Sequence, residues 1–66
     1  MTNEAKLPKT QAATLAKMRA IKANGEAPVE GGVQRDGIYQ NALGPLLRKG
    51  FVRLIKIDGF TRWEAV

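Results

Sequence analysis

The C-terminal segment Phe51-Val-Arg-Leu-Ile-Lys-Ile-Asp-Gly-Phe-Thr-Arg-Trp-Glu-Ala-Val66 carries the clearest structural signal in the chain. β-Branched and aromatic residues, which favour strands, lie on both sides of Asp58-Gly59. An Asp-Gly pair is a favoured two-residue hairpin turn. The sequence therefore predicts a β-hairpin with strands at 51–57 and 60–66.

A two-residue turn also determines which residues of the hairpin face each other. The expected cross-strand pairs are Ile57 with Phe60, Ile55 with Arg62, Leu54 with Trp63, and Arg53 with Glu64. The last is an opposite-charge pair, worth about 0.2–1 kcal/mol. One face carries Val52, Leu54, Lys56, Thr61, Trp63 and Ala65, and we expect it to face the core. The other carries Arg53, Arg62 and Glu64 together with Ile55, Ile57 and Phe60.

Before the hairpin, an alanine-rich run without Gly or Pro predicts a first helix at about 9–24. Thr10 is the expected N-cap. Its apolar stripe consists of Leu7, Leu15, Met18 and Ile21. The largely opposite face consists of Ala12, Ala13, Ala16, Ala20 and Ala23. These alanines reflect either helix propensity alone or a face for close packing of another helix, in the same chain or in a dimer.

Residues 25–35 contain three glycines and one proline, which predicts a loop with at most a short turn or strand. Val29 and Val33 are expected to hold this loop to the core. A second helix is predicted at about 36–49, with Asp36 as N-cap. Its apolar arc consists of Ile38, Tyr39, Ala42, Leu43 and Leu46, and its polar side of Gly37, Asn41, Gly44 and Arg48, flanked by Gln40 and Pro45. Pro45 implies either a kink, which we favour, or two short helices.

The elements predict a small α+β fold, with a flexible tail at 1–7 and one domain at 8–66. The 66 residues include no Cys, His or Ser, and the acidic residues are scattered. We therefore expect no enzyme, no metal or other cofactor and no small-molecule substrate.

No apolar run is long enough to span a membrane, and a cytoplasmic location is expected by default. The net charge of +5 favours anionic partners, nucleic acid before anionic membrane, unless the charge serves solubility alone.

The order helix, gap, helix, hairpin resembles a winged helix-turn-helix. The segment Leu43-Gly-Pro-Leu-Leu-Arg-Lys-Gly-Phe-Val52 is similar to the end of the recognition helix and the start of the wing in bacterial winged-helix regulators. Leu7-Pro-Lys-Thr-Gln-Ala12 is similar to the start of their first helix. The family's middle helix would fall at 26–34, where Pro28 and Gly31-Gly32 indicate a reduced turn or a minimal variant of the fold.

The resemblance implies a small transcriptional regulator that binds double-stranded DNA, with the second helix in the major groove and the hairpin on the backbone. Gln40 and Asn41 become candidate base readers, and Gly37 and Gly44 would let the helix approach closely. The candidate phosphate contacts are Arg35, Arg48, Lys49, Arg53, Lys56 and Arg62. The alternative is a protein-interaction module or a homodimer that uses the apolar wing tip, Ile55, Ile57 and Phe60.

Overall fold

The computed structural model describes residues 4–66, and their elements confirm the α+β class. The elements are a 3-10 turn at Glu4–Lys6, helix α1 at Lys9–Ala23, strand β1 at Val29–Glu30, helix α2 at Gln40–Arg48, and strands β2 at Val52–Ile57 and β3 at Phe60–Ala65. Residues 1–3 of the expected tail lie outside the described residues, whereas Leu7 packs against the core.

The three strands form one antiparallel sheet in the order β1-β3-β2. All four predicted hairpin pairs are present, including Arg53 opposite Glu64. Asp58 and Gly59 both have positive φ, 52° and 83°, as the two central residues of a type I′ turn require. The short strand allowed within 25–35 is β1, which places Val29 beside Trp63.

Both helices pack on one face of the sheet around a small core. The buried apolar side chains are Leu15, Met18 and Ile21 of α1, Ile38, Ala42, Leu43 and Leu46 of α2 and its preceding turn, and Val29, Val52 and Ala65 of the sheet. The predicted apolar stripe of α1 is therefore confirmed. Its five alanines opposite are all exposed, so the alternative that a second helix of this chain packs against them was wrong.

The second helix begins at Gln40, so the expectation that Asp36 caps it was wrong. Residues 35–38 form a separate turn, closed by a 3.0 Å hydrogen bond from the Ile38 N–H to the Arg35 carbonyl oxygen. Gly37 has a φ of 81°, which no helical residue adopts. The N-cap is Tyr39, whose extended backbone turns its side chain away from the core, against the prediction.

Two further local expectations were wrong. Helix α1 begins at Lys9, and its first i→i−4 bond runs from the Ala12 N–H to the Pro8 carbonyl at 2.9 Å, so Pro8 and not Thr10 is the N-cap. Leu54, assigned to the core face, is 47% exposed, because the helices cover only the base of the hairpin, where Val52 and Ala65 are buried.

The structure also tests the expectations for Pro45 in α2 and for Val29 and Val33 in the preceding loop. Helix α2 is one element with Pro45 inside it, so the alternative of two short helices was wrong. Val29 is buried as expected, but Val33 is 51% exposed and does not hold the loop to the core.

Candidate nucleic-acid interface

The glutamates of the chain are all neutralised within the fold. Each of the four is ion-paired with an arginine: Glu4 with Arg19, Glu26 with Arg35 at 3.0 Å, Glu30 with Arg62 at 3.5 Å, and Glu64 with Arg53 at 2.6 Å. Most of these side chains are at least a third exposed, so each pair contributes little to stability. Their importance is that they determine which cations of the protein are not paired with a glutamate.

The positive charge of the protein rests on Arg48 and the six lysines. Within residues 4–66, Arg48 and five of the lysines, Lys6, Lys9, Lys17, Lys22 and Lys56, form no ion pair with a carboxylate. The two remaining acids, Asp36 and Asp58, lie in turns. Seven cations against two aspartates account for the whole net charge of +5. The field around the molecule is therefore set by lysines and one arginine.

The ion pairs divide the six candidate phosphate contacts into two groups. Arg35, Arg53 and Arg62 are engaged within the domain. Arg35 also donates to the Ala27 carbonyl at 3.4 Å, and Arg62 donates to the Pro28 carbonyl at 2.8 Å. The Arg62 contact ties the segment before β1 to the hairpin, and the Arg35 contacts join that segment to the turn before α2. Arg48 and Lys56 keep their charge uncompensated by any carboxylate of the described chain. Lys49 donates to Gln11 and belongs to none of the four glutamate–arginine pairs.

Helix α2 presents a narrow outward stripe formed by Asn41, Gly44 and Arg48. Their spacing of three and then four residues places them on one line of the helix surface. Asn41 and Arg48 are exposed. A Cβ added to Gly44 would lie 3.5 Å from Nη1 of Arg48, so the guanidinium folds back over the glycine. The stripe therefore combines an amide side chain, a glycine without a side chain and a cation.

The C-terminal end of α2 lies beside the first turns of α1. Lys49 Nζ donates to Gln11 Oε1 at 2.8 Å and holds the two helix ends together. Lys9, the first residue of α1, and Lys6, in the preceding turn, are exposed at the same end of the molecule. We call Lys6, Lys9, Arg48 and Lys49 the basic end. Sequence reasoning missed Lys6 and Lys9, because only the contact between the helices places the start of α1 beside the end of α2.

Gln40 has a structural role that the sequence did not reveal. Its Oε1 accepts a hydrogen bond from the Gly32 N–H at 2.8 Å, and its Nε2 donates to the Val33 carbonyl at 2.7 Å. The amide thus fastens the loop after β1 to the start of α2. The expectation that Gly37 lets α2 approach a ligand was wrong, because it lies outside the helix and the aliphatic chain of Lys17 packs on it.

The structure also holds a small cleft between the end of α1 and β3, with a volume of about 240 Å³. Met18, Ile21, Val29 and Trp63 contribute to its walls. Within residues 4–66, no three acidic side chains converge as a metal site would require. Over the same residues, no helix has the length and apolar character needed to cross a membrane.

Comparisons with family models, with curated proteins and with solved structures found no match to this chain.

Proposed function

We propose that the protein binds duplex DNA, with the outward stripe of α2 in the major groove and the basic end on the phosphate backbone. The observation that carries this proposal is the charge distribution. Every glutamate is neutralised by an arginine, and four of the seven cations outside these pairs lie at one end of the molecule, at or next to the end of α2. Lysine and arginine clusters of this kind favour binding to a polyanion through release of its counterions.

Asn41 is the candidate base reader in this proposal. Its side chain is exposed on α2, and an amide can make two hydrogen bonds to the edge of adenine. Gln40 is one position earlier, but its amide is already bonded to the loop. Arg48 ends the stripe, and its guanidinium can contact a phosphate or the edge of guanine once it swings away from Gly44. Gly44 between them would let the helix approach closely.

The hairpin has a smaller part in DNA binding than the resemblance to winged-helix regulators implies. Arg53 and Arg62 are engaged with Glu64 and Glu30. Lys56 lies two residues from Asp58, so the tip adds almost no net charge. A role as a small transcriptional regulator would follow if the protein prefers one DNA sequence over others.

The test is a fluorescence-anisotropy titration of a labelled duplex at several salt concentrations. We expect binding that weakens steeply with salt, and Arg48→Ala should reduce the slope of log K against log salt by about one. Lys22→Gln is the matched control, because it removes the same charge from the far end of α1, where Lys22 bonds the Ala65 carbonyl. Absence of binding at low salt by folded protein, or equal losses in both variants, would overturn the proposal.

A further inference from the structure

The tip of the hairpin carries an apolar patch, one residue of which, Ile57, also lines the cleft beside α1. Ile57 and Phe60 form a cross-strand pair at the tip and are 38% and 62% exposed. Ile55 lies two residues before Ile57 on the same face and is partly buried. The outward face of an antiparallel sheet is normally polar. An apolar patch at this position indicates an interface.

The rest of this outer face is electrically balanced. Towards the base of the hairpin it carries the Arg53–Glu64 pair, and beside Ile55 it carries the Arg62–Glu30 pair. The face therefore has no uncompensated charge, although the molecule carries +5. Two copies of the chain repel each other through their lysines, and this repulsion is smallest where each copy is neutral.

We infer that the occupant of this face is a second copy of the chain, packed sheet against sheet through Ile55, Ile57 and Phe60. In a two-fold interface the same patch meets itself, so it must be complementary to its own charges. This face carries two cations and two anions, each paired within its own copy, so neither copy presents an unbalanced charge to the other. An acidic partner protein would instead be attracted to the basic end.

The dimer is weak, because the patch is small. A buried Phe accounts for roughly 150–250 Å², whereas a stable interface takes roughly 800 Å² from each partner. The two copies therefore associate at high protein concentration, independently of whether the protein binds DNA.

The test is sedimentation equilibrium without DNA, at protein concentrations from about 10 μM to about 1 mM. We expect the wild-type mass to rise towards that of a dimer and Phe60→Ser to stay monomeric over the whole range. Val33→Ser is the matched control, because it removes an apolar side chain that is 51% exposed outside the hairpin, and it should dimerise like the wild type.

Circular dichroism checks that both variants are folded, as the exposure of the two side chains predicts. A wild-type protein that stays monomeric throughout would overturn the inference. Dimerisation of Phe60→Ser equal to that of the wild type, or an equal loss in Val33→Ser, would overturn it as well.

Discussion

The hydroxyl of Thr14 in α1 accepts a hydrogen bond from the backbone N–H of Tyr39 at 3.1 Å. Thr14 is completely buried, and it is the only buried polar residue of the described chain. Tyr39 is the N-cap of α2 and makes no side-chain cap of its own. The first helix thus supplies the hydrogen-bond acceptor that the start of the second helix lacks.

Thr14→Val should destabilise the domain by about 1–3 kcal/mol, because it keeps the shape of the side chain but removes the acceptor for the Tyr39 N–H. Urea denaturation followed by circular dichroism measures the change in the free energy of unfolding. Thr14→Ser is the control: it keeps the hydroxyl and loses one buried methyl group, at a cost of about 0.8 kcal/mol. If the valine variant were as stable as the serine variant, the hydrogen bond would contribute nothing.

Gly31→Ala should disturb the packing of Trp63. A Cβ at this position would lie 2.5 Å from Nε1 of the indole, closer than two such atoms can approach. Because Trp63 packs against the core, its displacement should cost about 1–3 kcal/mol. It is the single tryptophan of the chain, so its fluorescence emission reports the displacement directly. An unchanged emission spectrum together with unchanged stability would show that the indole does not rest on Gly31.

Gln40→Ala should release the loop after β1, because it removes both hydrogen bonds to Gly32 and Val33. At roughly 0.5–1.5 kcal/mol for each bond in water, the loss should be about 1–2 kcal/mol. Amide hydrogen exchange at Gly32 should become faster. Asn41→Ala is the matched control, since it removes an exposed neighbouring amide that has no such bonds. Equal exchange rates at Gly32 in the two variants would contradict the structural role of Gln40.

Gly44→Ala should stabilise the domain by about 0.8–1 kcal/mol, since alanine is the better helix former and its Cβ has room beside Arg48. The same substitution at Gly50 should destabilise by about 1–2 kcal/mol, because that residue has a φ of 84°. Thermal denaturation distinguishes the two. Gly44→Ala should also weaken DNA binding if the α2 stripe lies in the groove. Destabilisation by Gly44→Ala would mean that the helix is strained at this position.

The elements that the sequence predicted well are those that neighbouring residues specify. The Asp58-Gly59 turn sets the hairpin register, because both of its residues accept positive φ and a two-residue loop allows one pairing. The limits of α1 were predicted to within one residue at its C-terminal end, because Asn24-Gly25 interrupts an alanine-rich run. Of the candidate site, Asn41 and Arg48 were correctly expected to lie on the exposed side of α2.

The predictions that failed concern residues whose environment comes from distant parts of the chain. The start of α2 depends on Thr14, 25 residues earlier, and the amide of Gln40 is occupied by a loop eight residues away. The exposure of Leu54 depends on how far the helices extend over the sheet. No local pattern contains this information.

The sequence by itself therefore determined the first helix, the presence of a second, the hairpin and the net charge of +5, since these follow from residue type and short-range spacing. Only the tertiary structure decided where that charge is available. It joined each glutamate to an arginine 9 to 32 positions away and left Arg48 and the lysines outside these pairs. Ion pairing depends on distances of a few ångströms between side chains, and those distances exist only after the chain has folded.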